Sequence, residues 1–305
     1  MSLLTIGTLA FDSIHTPFGK KERVLGGSCT YVSYAASYFT DEIKLVSIVG
    51  GDFPEVEMDN LRNLGVDLEG LEIKQNGKTF FWEGRYHLNM ISRDTLVTDL
   101  NVLDDFNPVL PESYKMASFV MLGNLTPSLQ EQVLDQLTNP EVFVALDTMD
   151  FWMDIAMDKL LEVIKRVDVL VINDEEARQL SGEFALTKAA HKILTMGPKY
   201  LIIKKGEHGS LLFYEEKIFF APGLPLAEVK DPTGAGDTFA GGFMGYLSNS
   251  GDTGFENMKR AIIYGSAMAS FCVQEFSLDG IKSLLKEEIE KRVRSFSELV
   301  DFSLE

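Results

Sequence analysis

The fold is decided by the stretch Asp231-Pro232-Thr233-Gly234-Ala235-Gly236-Asp237-Thr238-Phe239-Ala240-Gly241-Gly242-Phe243. Its later residues carry apolar side chains at helical spacing, so we predict a loop that becomes a helix at about Gly234. Two glycines let the backbone bend tightly, and the N–H groups of a first helical turn have no partner within the helix. An anion is therefore expected at this turn.

Asp237 lies in the same predicted first turn. A carboxylate repels phosphate, but it suits a base that takes a proton from an attacking hydroxyl. An anion hole beside a base is what phosphoryl transfer to an alcohol needs. Glycines and an aspartate are also ordinary at a helix start, so the motif by itself leaves a purely structural role open. A dinucleotide fingerprint would need glycine at Phe239, which disfavours an oxidoreductase.

Strand and helix patterns alternate along most of the chain. Buried strands are predicted at residues 3–9, 44–49, 119–123, 142–147, 169–173, 200–204 and 210–214. Helices are predicted between them, including 153–166, and after them to 281–300. This alternation predicts one α/β domain over residues 1–305, with a mostly parallel central sheet and helices on both faces. Ligands are then expected at the carboxyl ends of the strands.

Two segments do not fit the alternation. Residues 13–25 are more polar and contain a predicted hairpin turn at residues 17–20. Residues 74–90 are rich in aromatic side chains, with no crossover helix after them. We predict that these two segments form a small sheet outside the main one. Residues 95–111 are predicted to be irregular.

Composition limits the partners. The 305 residues are 45% hydrophobic, and 28 Lys and Arg against 46 Asp and Glu give a net charge of −18. Such a surface repels nucleic acid and anionic lipid, so neither is expected as a partner. The two cysteines and four histidines show no metal-binding spacing, and the first residues lack the features of a signal peptide. A cytoplasmic protein is expected.

The run from Asp231 to Asp237 resembles the C-terminal signature of the ribokinase or PfkB family of carbohydrate kinases, and the resemblance extends over nearly the whole chain. It implies a three-layer ribokinase-like fold, with the segments at about 13–25 and 74–90 as a β lid through which two subunits pair. It also implies ATP and Mg²⁺ as cofactors and a small sugar or polyol as acceptor. Asp237 would be the base, with Gly234, Ala235 and Gly236 as the anion hole.

The resemblance also assigns a substrate side. Asp12 matches the family's substrate-binding aspartate, and Gly26-Gly27 matches a pair that lets substrate approach the backbone. A turn-forming aspartate and an ordinary helix entry are the structural alternatives. Tyr31 stands where the family usually has an asparagine that binds sugar. We hypothesise that its ring stacks on an acceptor other than ribose; the alternative is a core tyrosine.

The nucleotide side follows from the same resemblance. Asn173 and Glu176 match an Asn-x-x-Glu pattern that positions Mg²⁺ and phosphate through water; a plain helix cap is the alternative. Lys204, Gly206 and Gly209 match a turn in which the lysine meets a phosphate and the glycines make room for ATP. A hairpin turn with solvated charges is the alternative.

Asp231 and Thr233 correspond to a monovalent-cation loop in members of the family, which implies K⁺ as a further cofactor.

Three functions remain open at this stage. The first is a sugar or polyol kinase, and the second is a nucleoside kinase of the same family, of the adenosine type. The third is a sugar-binding sensor that kept the fold and lost turnover. The intact Asp237 and Gly234-Ala235-Gly236 favour an enzyme.

Overall fold

The computed structural model describes residues 1–301 and 303. In chain order, their strands are β1 (Leu3–Ile6), β2 (Ala10–Thr16), β3 (Gly19–Gly26), β4 (Ile43–Gly50), β5 (Val66–Lys74), β6 (Phe80–Tyr86), β7 (Arg93–Asp99), β8 (Phe119–Leu122), β9 (Phe143–Asp147), β10 (Val169–Asn173), β11 (Tyr200–Lys204), β12 (Ser210–Tyr214) and β13 (Lys217–Ala221).

The α-helices of the same residues surround the sheets. They are α1 (Ser28–Ala36), α2 (Glu55–Asn63), α3 (Pro127–Gln136), α4 (Asp150–Ile155), α5 (Met157–Ile164), α6 (Asp174–Ser181), α7 (Leu186–Leu194), α8 (Ala235–Ser250), α9 (Phe255–Cys272) and α10 (Lys286–Leu299). None of the helices that the structure describes combines the length and the apolar character needed to span a bilayer.

The main sheet has nine strands in the order β13-β12-β11-β10-β9-β8-β1-β4-β5. The seven neighbouring strands β11, β10, β9, β8, β1, β4 and β5 pair in parallel. Strands β12 and β13 join them antiparallel at one edge. The parallel strands therefore end at one common edge, where their terminal side chains can meet. This confirms the predicted mostly parallel sheet.

Successive strand residues point to opposite faces, and each face has its own hydrophobic core. On β1, Leu3 packs into a core with residues of α1, α8 and α9, whereas Leu4 packs into a second core with residues of α3, α5 and α7. Both leucines are fully buried. Helices thus cover both faces, as the three-layer prediction requires.

A second, separate sheet has four strands in the order β3-β2-β6-β7 and contains the segments predicted to form the lid. The two predicted lid segments overlap β2, β3 and β6. The prediction that residues 95–111 are irregular is wrong at its start, because β7 pairs antiparallel with β6. Most of the side chains of β7 are exposed, so it lacks the apolar run that marks a buried strand. Asp12, expected just after the strand predicted at residues 3–9, lies within β2.

Other differences lie at the ends and edges of elements. The strands predicted at residues 169–173, 200–204 and 210–214 are confirmed to the residue, whereas β5 and β13 were not predicted. Both are edge strands of the main sheet. The exposed side chains of β5 are mostly acidic, whereas β13 is short and leaves Ile218 and Phe220 about half-exposed. The helix predicted at 153–166 is two helices, with Ala156 in a non-helical conformation between them.

Candidate active site

Three neighbouring strands bring charged and polar side chains to the carboxyl edge of the main sheet. Asp147, Asn173 and Lys204 are the last residues of β9, β10 and β11. Asn173 is in register with Lys204. The Lys204 Nζ lies 3.0 Å from the Asp147 Oδ1, which makes a partly buried ion pair.

The predicted turn from loop to helix is present beside this pair. Gly234 precedes α8 in a left-handed conformation with φ 74°, which glycine adopts without strain. A Cβ atom added to Gly236 would lie 3.0 Å from the Lys204 Nζ. The lysine ammonium therefore stands against the first turn of α8. Of the predicted anion-hole groups, the Ala235 N–H donates to the Pro232 carbonyl oxygen at 3.2 Å.

Asp237 occupies the first turn of α8 and is partly exposed. Burial raises its pKa above the usual range, and repulsion from Asp147 raises it further, whereas Lys204 and Arg93 oppose the rise. Burial opposes the charged form of Lys204, but Asp147 and Glu176 outweigh it, so the pKa of Lys204 is raised. The arrangement pairs a carboxylate of increased proton affinity with a lysine that stays charged.

On the substrate side, Asp12 is 5% exposed. A Cβ atom on Gly26 would lie 2.0 Å from the Asp12 Oδ2, and one on Gly27 would lie 2.4 Å from the Thr8 carbonyl oxygen. Both glycines thus make room for atoms of the protein itself, and their role in letting substrate approach the backbone stays a prediction. Burial raises the pKa of Asp12 to about 7, and Asp231 and Asp237 add to the rise.

Tyr31 belongs to the core. Its side chain is 1% exposed, and a Cβ atom on Gly234 would lie 2.3 Å from the Tyr31 Cζ. Its hydroxyl has no hydrogen-bond partner among the described residues. The ring therefore packs beneath the Gly234 turn, which favours the core alternative over stacking on an acceptor.

Asn173 and Glu176 form a capping box at the start of α6. The Glu176 N–H donates to the Asn173 Oδ1 at 2.8 Å, and the Asn173 N–H donates to the Glu176 Oε2 at 2.7 Å. Burial raises the pKa of Glu176 to about 7, although Lys204 opposes the rise. The helix-cap alternative is thus present, and it leaves the Glu176 Oε1 without a hydrogen bond to any residue in the described part of the chain.

The donor set at this edge suits a magnesium ion that keeps most of its water. Within residues 1–301 and 303, no group of three or more His, Cys, Asp or Glu side chains is arranged to hold a metal ion. Mg²⁺ bound to phosphates needs only one or two carboxylates from the protein. Asp147, which pairs with Lys204, and Glu176, whose charge also acts on Lys204, are carboxylates of that kind.

The two glycines of the predicted nucleotide turn differ. Gly206, with φ 55°, opens a short 3₁₀ turn at Gly206–His208, and a Cβ atom there would have no atom within 4 Å. Gly209 is tightly packed, since its Cβ atom would lie 2.0 Å from the Ala221 carbonyl oxygen. Gly209 thus lets the end of β13 pack closely, and the expectation that both glycines make room for ATP stays a prediction.

Asp231 and Thr233 hold the loop in place. Asp231 is fully buried; its Oδ1 accepts from the Thr233 N–H and its Oδ2 from the Ser277 N–H, both at 2.9 Å. The Thr233 hydroxyl lies 3.2 Å from the hydroxyl of Tyr86 on the lid. These contacts give both residues structural roles, and the monovalent-cation site stays a prediction.

Three residues at the site were missed in the sequence. Asp147 ends a predicted strand, which is the same signal that pointed to Asn173. Tyr86 lies within the predicted lid segment, but its contact with Thr233 depends on how the lid meets the body. Arg93 follows that segment, and no local pattern marks it.

A second candidate phosphate loop is excluded. Gly77-Lys78-Thr79 resembles the end of a Walker A loop, but Glu72 stands where that loop needs its first glycine. Thr79 is buried, and its hydroxyl donates to the Asp52 Oδ1 at 2.7 Å. The tripeptide therefore braces the start of β6.

Known proteins resemble the chain in sequence and in fold. A model described as pfkB family carbohydrate kinase matches residues 9–282. The cytidine kinase of Thermococcus kodakarensis is 30% identical over 248 residues, covering 80% of this chain and 87% of that protein. The nucleoside kinase of Methanothermobacter thermautotrophicus is 26% identical over 289 residues, covering 90% of this chain and 89% of that protein.

The fold has a solved counterpart. A structure assigned as Ribokinase II from E. coli, in complex with ATP and Mg²⁺, superposes with a TM-score of 0.81 at 20% identity. The match covers 96% of this chain and 99% of that one. This confirms the ribokinase-like fold.

Proposed function

Because the chain belongs to the pfkB family of carbohydrate kinases, we propose that it transfers the γ-phosphoryl group of ATP to a hydroxyl of a nucleoside. The observation that carries the proposal is the first turn of α8, where Asp237 lies beside the Lys204 ammonium and its partner Asp147. Asp12, which is electrostatically coupled to Asp237, would bind the acceptor at this site.

The chemistry follows from this arrangement. Asp237 takes the proton of the acceptor hydroxyl as that oxygen forms a bond to the γ-phosphorus. The bond from the γ-phosphorus to the bridging oxygen breaks, and ADP leaves with the electron pair. Lys204 and the positive end of the α8 dipole stabilise the charge on the transferring group.

Magnesium would be held at Glu176, through water, with Asn173 and Asp147 nearby. When bound, the ion neutralises phosphate charge. The raised pKa of Glu176 supports this role, because a buried carboxylate gains stability from a nearby cation.

A nucleoside is preferred as the acceptor for two reasons. The two relatives above that align with most of this chain are a cytidine kinase and a nucleoside kinase. The lid also presents a partly exposed tryptophan, Trp82, in register with Asp12. Its flat ring suits a nucleobase, while Asp12 suits the hydroxyls of a ribose. A free sugar or polyol, our first expectation, becomes the second candidate, supported by the description of the family.

The test is a screen for acceptor-dependent ADP release with Mg²⁺ and ATP. Cytidine, uridine, adenosine, inosine, ribose and fructose are compared by kcat/KM, with Asp237→Asn as the control for contaminating activity. We expect the best nucleoside to exceed the best sugar by about tenfold or more. A sugar at the top of the ranking would replace the nucleoside proposal. Nucleoside binding without ADP release would support a sensor.

A further inference from the structure

The lid has an inner face that carries Asp12, Trp82, Tyr86 and Arg93. Asp12 is in register with Trp82 across β2 and β6, and Tyr86 is in register with Arg93 across β6 and β7. Paired residues project to the same side of a sheet, and alternate residues of one strand share a face. The hydroxyl of Tyr86 lies 3.2 Å from the Thr233 Oγ1, next to the Gly234 turn. Arg93 is therefore the strand partner of the lid residue that touches the anion-hole loop.

Trp82 supports the arginine side chain. A Cβ atom on Gly84 would lie 2.1 Å from the Trp82 Cη2, so the indole ring folds across the bare position 84. The guanidinium carbon of Arg93 lies 5.7 Å from the centre of a Trp82 ring. This cation–π contact holds the positive charge over the inner face.

The charge of Arg93 is not committed to a partner. Arg23 is paired with Asp52, and Lys204 with Asp147, whereas Arg93 forms no ion pair with any residue that the structure describes. Asp12 and Asp237 lie within electrostatic range of Arg93. Burial raises the pKa of Asp12 and of Asp237, and Arg93 opposes the rise at both.

From this geometry we propose that Arg93 is a further catalytic residue, which binds the phosphoryl group in transit from the side opposite Lys204. The inference rests on the proposed phosphoryl transfer. The charge of that group is spread over its non-bridging oxygens, and a planar guanidinium donates to two such oxygens at once. In a chain with a net charge of −18, a phosphoryl group needs positive charge at this point, and Arg93 supplies it from β7.

In the proposed step Arg93 exchanges no proton. Asp237 accepts the proton of the acceptor hydroxyl, the new phosphorus–oxygen bond forms and the bond to the ADP oxygen breaks. Arg93 donates hydrogen bonds to the non-bridging oxygens throughout. Its contribution is therefore greatest in the transition state, and its loss should lower kcat more than it raises KM.

The test compares Arg93→Ala and Arg93→Lys with Arg85→Ala. Arg85 lies on the same lid sheet, one residue before Tyr86, and is exposed. Because adjacent residues of a strand project to opposite faces, Arg85 projects to the face opposite that of Trp82 and Tyr86. We expect Arg93→Ala to lower kcat by about 10³-fold, the lower end of the effect of an arginine on phosphoryl transfer. The loss should be equal for two nucleosides with different bases, and the acceptor KM should change by less than about threefold. Added guanidinium ion should restore part of the kcat, and Arg85→Ala should resemble the wild type.

Two further measurements separate the alternatives. Binding of ADP with aluminium fluoride and the acceptor should weaken in Arg93→Ala, while binding of ADP alone should not. A loss confined to the acceptor KM and different for each base would overturn the proposal and make Arg93 a base-recognition residue. An equal loss in Arg85→Ala would reduce it to an effect on lid stability. If Arg93→Ala keeps the wild-type kcat, only the role of Arg93 is overturned. If the wild type shows no acceptor-dependent turnover, the proposed function itself is overturned.

Discussion

The carboxylates at the site owe their proton affinity to burial. Asp12 and Glu176 are largely removed from water, which disfavours their charged forms and raises the pKa of each to about 7. Lys204 partly offsets this at Glu176, and Arg93 does so at Asp12. Asp237 follows the same rule, with the repulsion of Asp147 added. Burial thus raises the pKa of these carboxylates toward the range in which a base works near neutral pH.

The raised pKa of Asp237 predicts the pH dependence of turnover. The base works only when it is deprotonated, so kcat/KM should fall as the pH drops through this raised pKa. The acid limb should lie well above pH 4, the region of an ordinary aspartate. A pH profile of kcat/KM from pH 5 to 9 measures this. A flat profile down to pH 5 would mean that the base has an ordinary pKa.

Variants of Tyr31 test whether a buried hydroxyl without a hydrogen-bond partner affects thermal stability or acceptor preference. Tyr31→Phe removes a polar group that forms no hydrogen bond with the described residues, so Tm should stay the same or rise. The ratio of kcat/KM between the best nucleoside and ribose should not change. Tyr31→Ala is the contrasting variant, because loss of a buried ring destabilises by about 3–5 kcal/mol. A changed ratio in Tyr31→Phe would restore an acceptor role.

At the scale of elements, the carboxyl ends of β9, β10 and β11 and the starts of α6 and α8 form the site. The sequence was sufficient for these elements because their strands are apolar runs, α6 begins with the capping residue Asn173, and α8 begins with the glycine-rich signature. It was insufficient for β5 and β7, whose exposed polar side chains resemble those of loops, and for the short edge strand β13. It also missed the packing at Gly26 and Gly209, which depends on residues distant in sequence.

The capping box of α6 allows the charge of Glu176 to be removed while the cap remains. Glutamine also fits the third position of a capping box, so Glu176→Gln should keep the helix and Tm nearly unchanged. The Mg²⁺ concentration for half-maximal activity should rise about tenfold, as for other groups that act on a metal through its ligands. Glu175→Gln, at the exposed neighbouring position, is the control. Equal Mg²⁺ titrations in both variants would leave Glu176 with a capping role alone.

At the scale of the whole molecule, the main sheet has one hydrophobic core on each face and carries the site at its carboxyl edge. The lid sheet contacts the loop beside this site through Tyr86. The signature from Asp231 to Asp237 predicted the family, and the alternation of elements predicted the layers. The contact of Tyr86 with Thr233 and the placement of Arg93 depend on how the lid sheet meets the main body. No local pattern in the sequence encodes that meeting.

The buried carboxylates predict that the ligand-free protein loses stability as the pH rises. Asp12 and Glu176 bind protons more tightly when folded, with a pKa of about 7, than when unfolded, with a pKa of about 4. The folded state therefore holds more protons in this window, and the free energy of unfolding falls from about pH 4 to about pH 7. Tm should be higher at pH 5.5 than at pH 8, and Asp12→Asn should flatten the difference. A Tm that rises with pH would contradict this account.

The central claim is that Asp237 is the base of a phosphoryl transfer to a hydroxyl. The direct measurement is kcat for Asp237→Asn with the best acceptor, alongside the Kd for ATP by calorimetry. The asparagine keeps the shape of the first turn of α8 and removes the proton acceptor. We predict a fall in kcat of about 10²–10⁴-fold with the ATP Kd nearly unchanged. A kcat within a few-fold of the wild type would contradict the assignment.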